Sequence, residues 1–154
     1  IGERRFWDKG INPSDISSEA GNKAIEKAGI DRSSIECIIS ASVCRDFLEP
    51  ATGSVIHHIF ILPQSAFIFD VSNACLGVMN GMMIVANMIE MGQIQAGLIV
   101  SGENGGPLIE NTIEALLGDP KINRTDVKLA FASLTMFRHR RIGKFENLRI
   151  ECVL

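Results

Sequence analysis

Apolar residues fall along this chain in short unbroken runs that alternate with longer periodic stretches. Asn12-Pro13 offers a capping side chain followed by proline, a good helix start. Ile16, Ala20, Ala24, Ile25 and Ala28 then mark one face, and Gly29 closes the helix. Ile35 to Val43 carries no charge after Glu36 and reads as a strand. A polar loop, Cys44 to Pro50, leads to a helix over Ala51 to Ile61, closed by Leu62-Pro63. Ser65 to Val71 is a second strand, followed at once by a long apolar helix from Cys75 to about Met91, with Gly92 as its cap. Ala96 to Gly102 is a third strand. A Gly-rich turn over Asn104 to Pro107, a helix around Leu108 to Leu117, and a loop through Asp119-Pro120 follow.

Helices alternating with unbroken apolar strands predict an α/β fold, a parallel sheet covered on both faces. In such sheets, sites lie at the carboxyl ends of the strands. Three polar or reactive clusters fall there: Cys44-Arg45-Asp46-Phe47-Leu48-Glu49, Asn73-Ala74-Cys75 and Ser101-Gly102-Glu103-Asn104. Cys75 stands out among them. It lies between an apolar strand and an apolar helix, on what reads as the helix's first turn. There, unpaired backbone N–H groups and the positive end of the macrodipole favour a thiolate, the nucleophilic form of cysteine.

Composition narrows the alternatives. The chain's 154 residues suffice for one domain with a real core, and a net charge of −3 makes no case for nucleic acid or anionic membrane as a partner. The four cysteines, Cys37, Cys44, Cys75 and Cys152, show no CxxC and no His/Cys ligand spacing, which argues against a structural zinc site. Nothing suggests secretion, so reduced thiols in a cytoplasm are the expectation. The longest apolar stretch, Ala74 to Met91, contains Asn80, Asn87 and Glu90 and is shorter than the roughly 20 residues of a membrane span, so it reads as a helix buried in protein. The absence of an initiating Met suggests a chain that begins inside a larger protein.

Asp70-Val71-Ser72-Asn73-Ala74-Cys75-Leu76-Gly77 resembles the nucleophile segment of the thiolase superfamily, the group that contains 3-oxoacyl-acyl-carrier-protein synthase III. Ile1 to Arg5 and Ala96 to Glu103 resemble further segments of those enzymes. Ser42 to Thr52, with its Arg45-Asp46-Phe47-Leu48-Glu49-Pro50, is most similar to the OleA-type subgroup of acyl-CoA condensing enzymes. The resemblance covers Ile1 to about Met136, one of two repeated halves, and implies a thiolase-like fold with a buried nucleophile helix.

It also implies a Claisen condensation. Cys75 would take an acyl group from one acyl-CoA and hold it as a thioester. In the synthase III enzymes the second substrate is malonyl on an acyl carrier protein. In the OleA-type enzymes it is another acyl-CoA, whose α-carbon must be deprotonated by a general base. The matching residue is Glu49, supplied to the partner subunit of a homodimer. Phe47, Leu48 and Pro50 would give that carboxylate apolar surroundings. Coenzyme A thioesters would be substrates, with no tightly bound cofactor, and the product a long-chain β-keto acid. In these enzymes a His and an Asn from the second half complete the site; no residue here matches them, and His139 is not in the right context. The chain alone is therefore expected to be inactive or a non-catalytic acyl-binding or dimerisation fragment, poorly soluble without its sister half.

Several tempting residues read as structural. Cys37 lies in a predicted core strand, Cys44 follows one, and His57 and His58 lie mid-helix away from the strand ends. Asn73 reads as shaping its turn. The stripe Met79, Met82, Met83, Met88 and Met91 reads as ordinary core rather than an acyl channel. In the family an apolar strand near the nucleophile pairs across a two-fold axis, and the resemblance makes Ser65 to Val71 the candidate for that role. After Met136 the text turns abruptly basic, Phe137-Arg138-His139-Arg140-Arg141, so residues 137–154 read as a divergent, frameshifted tail, with a genuine basic tail for an acidic partner as the alternative.

Overall fold

The computed structural model describes residues 7–8 and 10–118. The element order is α1 (Pro13–Ala28), β1 (Cys37–Ser40), α2 (Thr52–Phe60), β2 (Phe67–Asp70), α3 (Gly77–Glu90), β3 (Gly97–Val100) and α4 (Gly106–Gly118), with single 3-10 turns at Arg32–Ser34 and Ala74–Leu76. The strands form one parallel sheet in the order β2-β1-β3. Residues 1–6, the loop through Asp119-Pro120, Cys152 and the divergent tail lie outside the described residues.

Both faces of the sheet are covered, as the unbroken apolar strands require. Ile38, Leu98 and Val100 pack with Ile25 of α1 and Ile56 and Phe60 of α2. Cys37, Ile39 and Ile99 point to the other face and pack with Val85 of α3 and Ile94. Every residue of β1 and β3 is buried, whereas β2, one of the two edge strands of the described sheet, has Phe67 exposed. No helix among the described residues is long and apolar enough to cross a membrane.

α1 begins where Asn12-Pro13 predicts, with the Asn12 N–H donating to Asp15 Oδ2 at 3.0 Å, and ends on Gly29 at φ 65°. Its buried face includes the expected Ile25, with Ala24 packed beside the core, but differs elsewhere. Ser14, Ser17, Ser18, Gly21 and Ile25 face the core, while Ala20 and Ala28 are exposed. The cause is close approach: a Cβ on Gly21 would lie 2.8 Å from Phe60 Cζ and 3.0 Å from Val100 Cγ1, so the small residues face inward to let the helix reach the sheet. The same logic governs α3, whose buried residues are Gly77, Gly81 and Val85, four apart on one face. A Cβ on Gly77 would lie 3.2 Å from the Ala41 carbonyl oxygen, and one on Gly81 would lie 3.0 Å from Ile99 Cγ2.

The methionine stripe is not uniformly core. Met82 and Met88 pack against the sheet, but Met79, Met83 and Met91 are exposed, and Leu76 with them. Because the glycine-lined face takes the sheet, the opposite apolar face of α3 is left open.

Among the glycines of the described residues, the tightest approach is at Gly102. A Cβ there would overlap the Pro13 carbonyl oxygen and lie 2.6 Å from Ser17 Oγ. The Pro13 carbonyl oxygen and the Ser17 backbone nitrogen, 2.8 Å away, are backbone atoms that no side-chain rotation can move, so Gly102→Ala is expected to destabilise the fold by about 3 kcal/mol, at the upper end for overpacking. Urea unfolding of the two proteins checks this.

Candidate active site

Ser40 is paired in register with Asp70 on one side and Val100 on the other, so β1, β2 and β3 end level at one edge of the sheet. The three segments that leave this edge, residues 41–51, 71–76 and 101–105, are the three expected clusters. The structure brings them together. Gly102 N–H donates to Ser42 Oγ at 2.9 Å, and the glycine face of α3 presses its first residue, Gly77, against the Ala41 and Val71 carbonyls.

Cys75 occupies the middle segment and is exposed. It differs from expectation in one respect: it lies in the 3-10 turn Ala74–Leu76, ahead of α3 rather than within its first turn. Leu76 N–H bonds back to the Asn73 carbonyl at 2.9 Å and Gly77 N–H to the Ala74 carbonyl, which tightens this turn before α-helical bonding begins. Ala74 has φ 44°, a left-handed conformation that few non-glycine residues adopt and that collects at functional sites. Alanine carries the smallest side chain that must bear this cost. Asn73 holds the turn from outside, its Nδ2 donating to Asn80 Oδ1 at 2.6 Å, in keeping with its expected role. The result is an accessible sulfur at the positive end of a 14-residue helix.

Cys37 and Cys44 are chemically different. Burial pushes the Cys37 thiol up to about 11. Burial, then the hydrogen bond to Glu103 and its negative charge, push Cys44 up to about 12. Both remain thiols at neutral pH, in line with the structural role expected of each. In the unfolded chain such groups ionise near 9. The folded state therefore keeps protons that the unfolded chain releases. This contribution to stability is complete below pH 9 and is lost as pH rises from there towards 11–12. Urea midpoints measured from pH 8 to 11 are expected to hold up to about pH 9 and to fall beyond it.

Glu49 is exposed on the segment after β1, and the Glu49–Pro50 peptide is cis. The apolar surroundings expected from Phe47, Leu48 and Pro50 are not supplied among the described residues. Phe47 is 59% and Leu48 84% exposed, because the segment projects outward from the sheet edge. His57 and His58 lie in α2, away from that edge, and His57 Nε2 contacts the Pro63 carbonyl at 3.0 Å, a structural role.

Two carboxylates that sequence reasoning did not single out organise the edge. Glu103 accepts from Val43 N–H at 2.7 Å and Cys44 N–H at 3.0 Å, and Asp70 accepts from Thr52 N–H at 2.9 Å and Gly53 N–H at 2.8 Å. The available signal was an acidic residue at the end of each apolar flanking strand.

A parallel α/β sheet, a cysteine on a strained turn before a helix at its carboxyl edge, and polar loops converging there define a thiolase-like half. The family model for the N-terminal domain of thiolase matches residues 1–130, and the chain belongs to that family. It is 42% identical over 130 residues to an acyl-CoA:acyl-CoA alkyltransferase of Shewanella oneidensis, covering 84% of this chain and 37% of that protein. A β-ketoacyl-acyl-carrier-protein synthase III of Koribacter versatilis is 33% identical over 115 residues, covering 75% of this chain and 34% of that protein. The crystal structure of acetamide-bound OleA from Xanthomonas campestris superposes with a TM-score of 0.77 at 37% identity, over 86% of this chain and 40% of that one. The chain thus spans about two fifths of the length of these relatives.

Proposed function

We propose that this chain is the nucleophile-bearing half of a cytoplasmic acyltransferase that joins two fatty acyl-CoA molecules by Claisen condensation. Residues 1–136 form the thiolase-like half, and residues 137–154 are a tail that departs from it. The Cys75 thiolate attacks the carbonyl of one acyl-CoA, coenzyme A leaves as the thiol, and the acyl group stays on sulfur. Glu49, delivered to the site of the other subunit in a homodimer, removes an α-proton from the second acyl-CoA. The resulting carbanion attacks the acyl-Cys75 carbonyl, sulfur departs, and hydrolysis of the β-ketoacyl thioester gives a β-keto acid and coenzyme A. No tightly bound cofactor takes part.

The observation that carries this reading is the exposed Cys75 on its strained turn at the N-terminal end of α3. The similarity to proteins named acyl-CoA:acyl-CoA alkyltransferase supports two acyl-CoA substrates. The lower-identity similarity to synthase III proteins favours a second reading, in which malonyl on an acyl carrier protein is the partner substrate.

Incubation with radiolabelled acyl-CoA tests the proposal. Label retained on the denatured chain, and condensed product formed without malonyl-carrier protein once the His- and Asn-bearing half that the resemblance implies is supplied, are the expected results. Product that requires malonyl-carrier protein selects the second reading, and a folded sample that takes up no label overturns both.

A further inference from the structure

We propose that Asp70 and Glu103 are positioning residues that fix the segment carrying Glu49; the catalytic part of this proposal rests on the reading of Glu49 as the general base. The segment leaves the central strand at Ser40 and returns to regular structure at Thr52. Each flanking strand lends one acidic residue to it. Asp70 closes β2, and Glu103 follows β3 by three residues.

Both carboxylates bind in the same way, using both oxygens on two consecutive backbone amides. Glu103 Oε1 and Oε2 take Val43 and Cys44 at the segment's start. Asp70 Oδ2 and Oδ1 take Thr52 and Gly53 at its end. Such charge-assisted pairs are stronger than neutral hydrogen bonds and set direction as well as distance. Between the clamps, Asp46 Oδ1 accepts from Ser14 N–H of α1 at 2.9 Å, a third tether. The stem is braced again by Gly102 N–H on Ser42 Oγ.

What is left between the clamps is short and faces outward. Arg45, Phe47, Leu48, Glu49 and Pro50 are all exposed, although both ends of their segment are held. An exposed loop would ordinarily be mobile, and a mobile base is a poor one, because a misplacement of about 1 Å can cost 10²-fold. Two carboxylates bridging from neighbouring strands make this projection stiff without burying it. Neither touches substrate in this account; each acts on Glu49 through the backbone.

The test compares the full chain with Glu103→Gln and Asp70→Asn, which keep size but remove the charge and one acceptor. Backbone 15N order parameters of residues 45–49 are expected near 0.85 in the unaltered protein and below about 0.6 in either variant. Exchange of the acyl-CoA α-hydrogen with deuterated solvent is expected to slow at least tenfold in each variant, while acylation of Cys75 stays within twofold. Combining the two substitutions is expected to add little, since either release frees the same segment. Order parameters that remain high at 45–49 overturn the proposal. So does a freed segment with unchanged α-hydrogen exchange, and so does equal loss of acylation and exchange, which marks a general structural role. The exchange is measured with the His- and Asn-bearing half supplied; its absence there with the unaltered chain removes the reading of Glu49 as base, and the order parameters still decide whether the carboxylates hold the segment.

Discussion

Cys75→Ala is expected to bring covalent capture of radiolabelled acyl-CoA down to background while leaving the chain folded. The side chain is exposed, so its removal changes stability by no more than about 0.5 kcal/mol. The thiol is the only part of the residue that can form the acyl bond, so nothing of the capture should survive. Two internal controls come with the fold. Cys37 is fully buried between the sheet and α3, so Cys37→Ala should retain the label and instead destabilise the core. Cys44 stands at the same sheet edge as Cys75, but its thiol is pushed up to about 12 by burial and by Glu103, and is protonated at neutral pH. Cys44→Ala should therefore also retain the label, and scintillation counting of denatured, gel-separated protein reads all three variants. Label persisting in Cys75→Ala would transfer the nucleophile to another residue and undo the assignment.

The layers of this fold were legible because they depend on local apolar runs. Ile38-Ile39 and Leu98-Ile99-Val100 could not be solvent-facing strands, and they became the buried β1 and β3. The match of Asp70 to Gly77 with the family's nucleophile segment likewise placed Cys75 at a strand–helix junction, where it lies. The face of α1 was legible in part: Ile25 is buried and Ala24 packs on the core as expected, whereas Ala20 and Ala28 are exposed. The helix approaches the sheet so closely that Gly21, Ser17 and Ser14 must face inward. Helix α3 shows the same preference, giving Gly77 and Gly81 to the sheet and leaving Met79 and Met83 outside. Glycine in a helix weakens any sequence pattern while permitting the closest packing, so it hides the contacts that decide orientation.

The clamp residues escaped for a different reason. Glu103 meets Val43 and Cys44 across 60 and 59 positions of sequence, and Asp70 meets Thr52 and Gly53 backward along the chain. Their partners are backbone amides, which every residue carries, so nothing in the partner sequence marks the contact. Only the parallel register, which ends Ser40, Asp70 and Val100 level, brings these groups within reach. Local pattern could show that polar residues gather at this edge but not which of them hold and which react.

Glu49→Gln separates those two kinds of residue. It is expected to lower condensation of two acyl-CoA molecules by 10²–10⁴-fold, the usual contribution of a general base, while Cys75 is acylated at its normal rate. Glutamine preserves the size and hydrogen-bonding reach of the side chain but cannot accept the proton, and the exposed position spares the fold. The α-hydrogen of a thioester is a weak acid, so a solvated carboxylate would be a poor match for it. Phe47 and Leu48, exposed on either side of the projecting chain, supply apolar surroundings only when a second surface closes over them. On the proposed homodimer, with the His- and Asn-bearing half supplied, the loss in Glu49→Gln should appear in assembled protein, and mixing it with Cys75→Ala should restore part of the turnover, since one subunit would then keep the thiol and the other the carboxylate. Steady-state product formation, read beside single-turnover acylation, checks both. Condensation at the unaltered rate in Glu49→Gln would place the base elsewhere, and a parallel fall in acylation would make Glu49 a residue that orients the nucleophile.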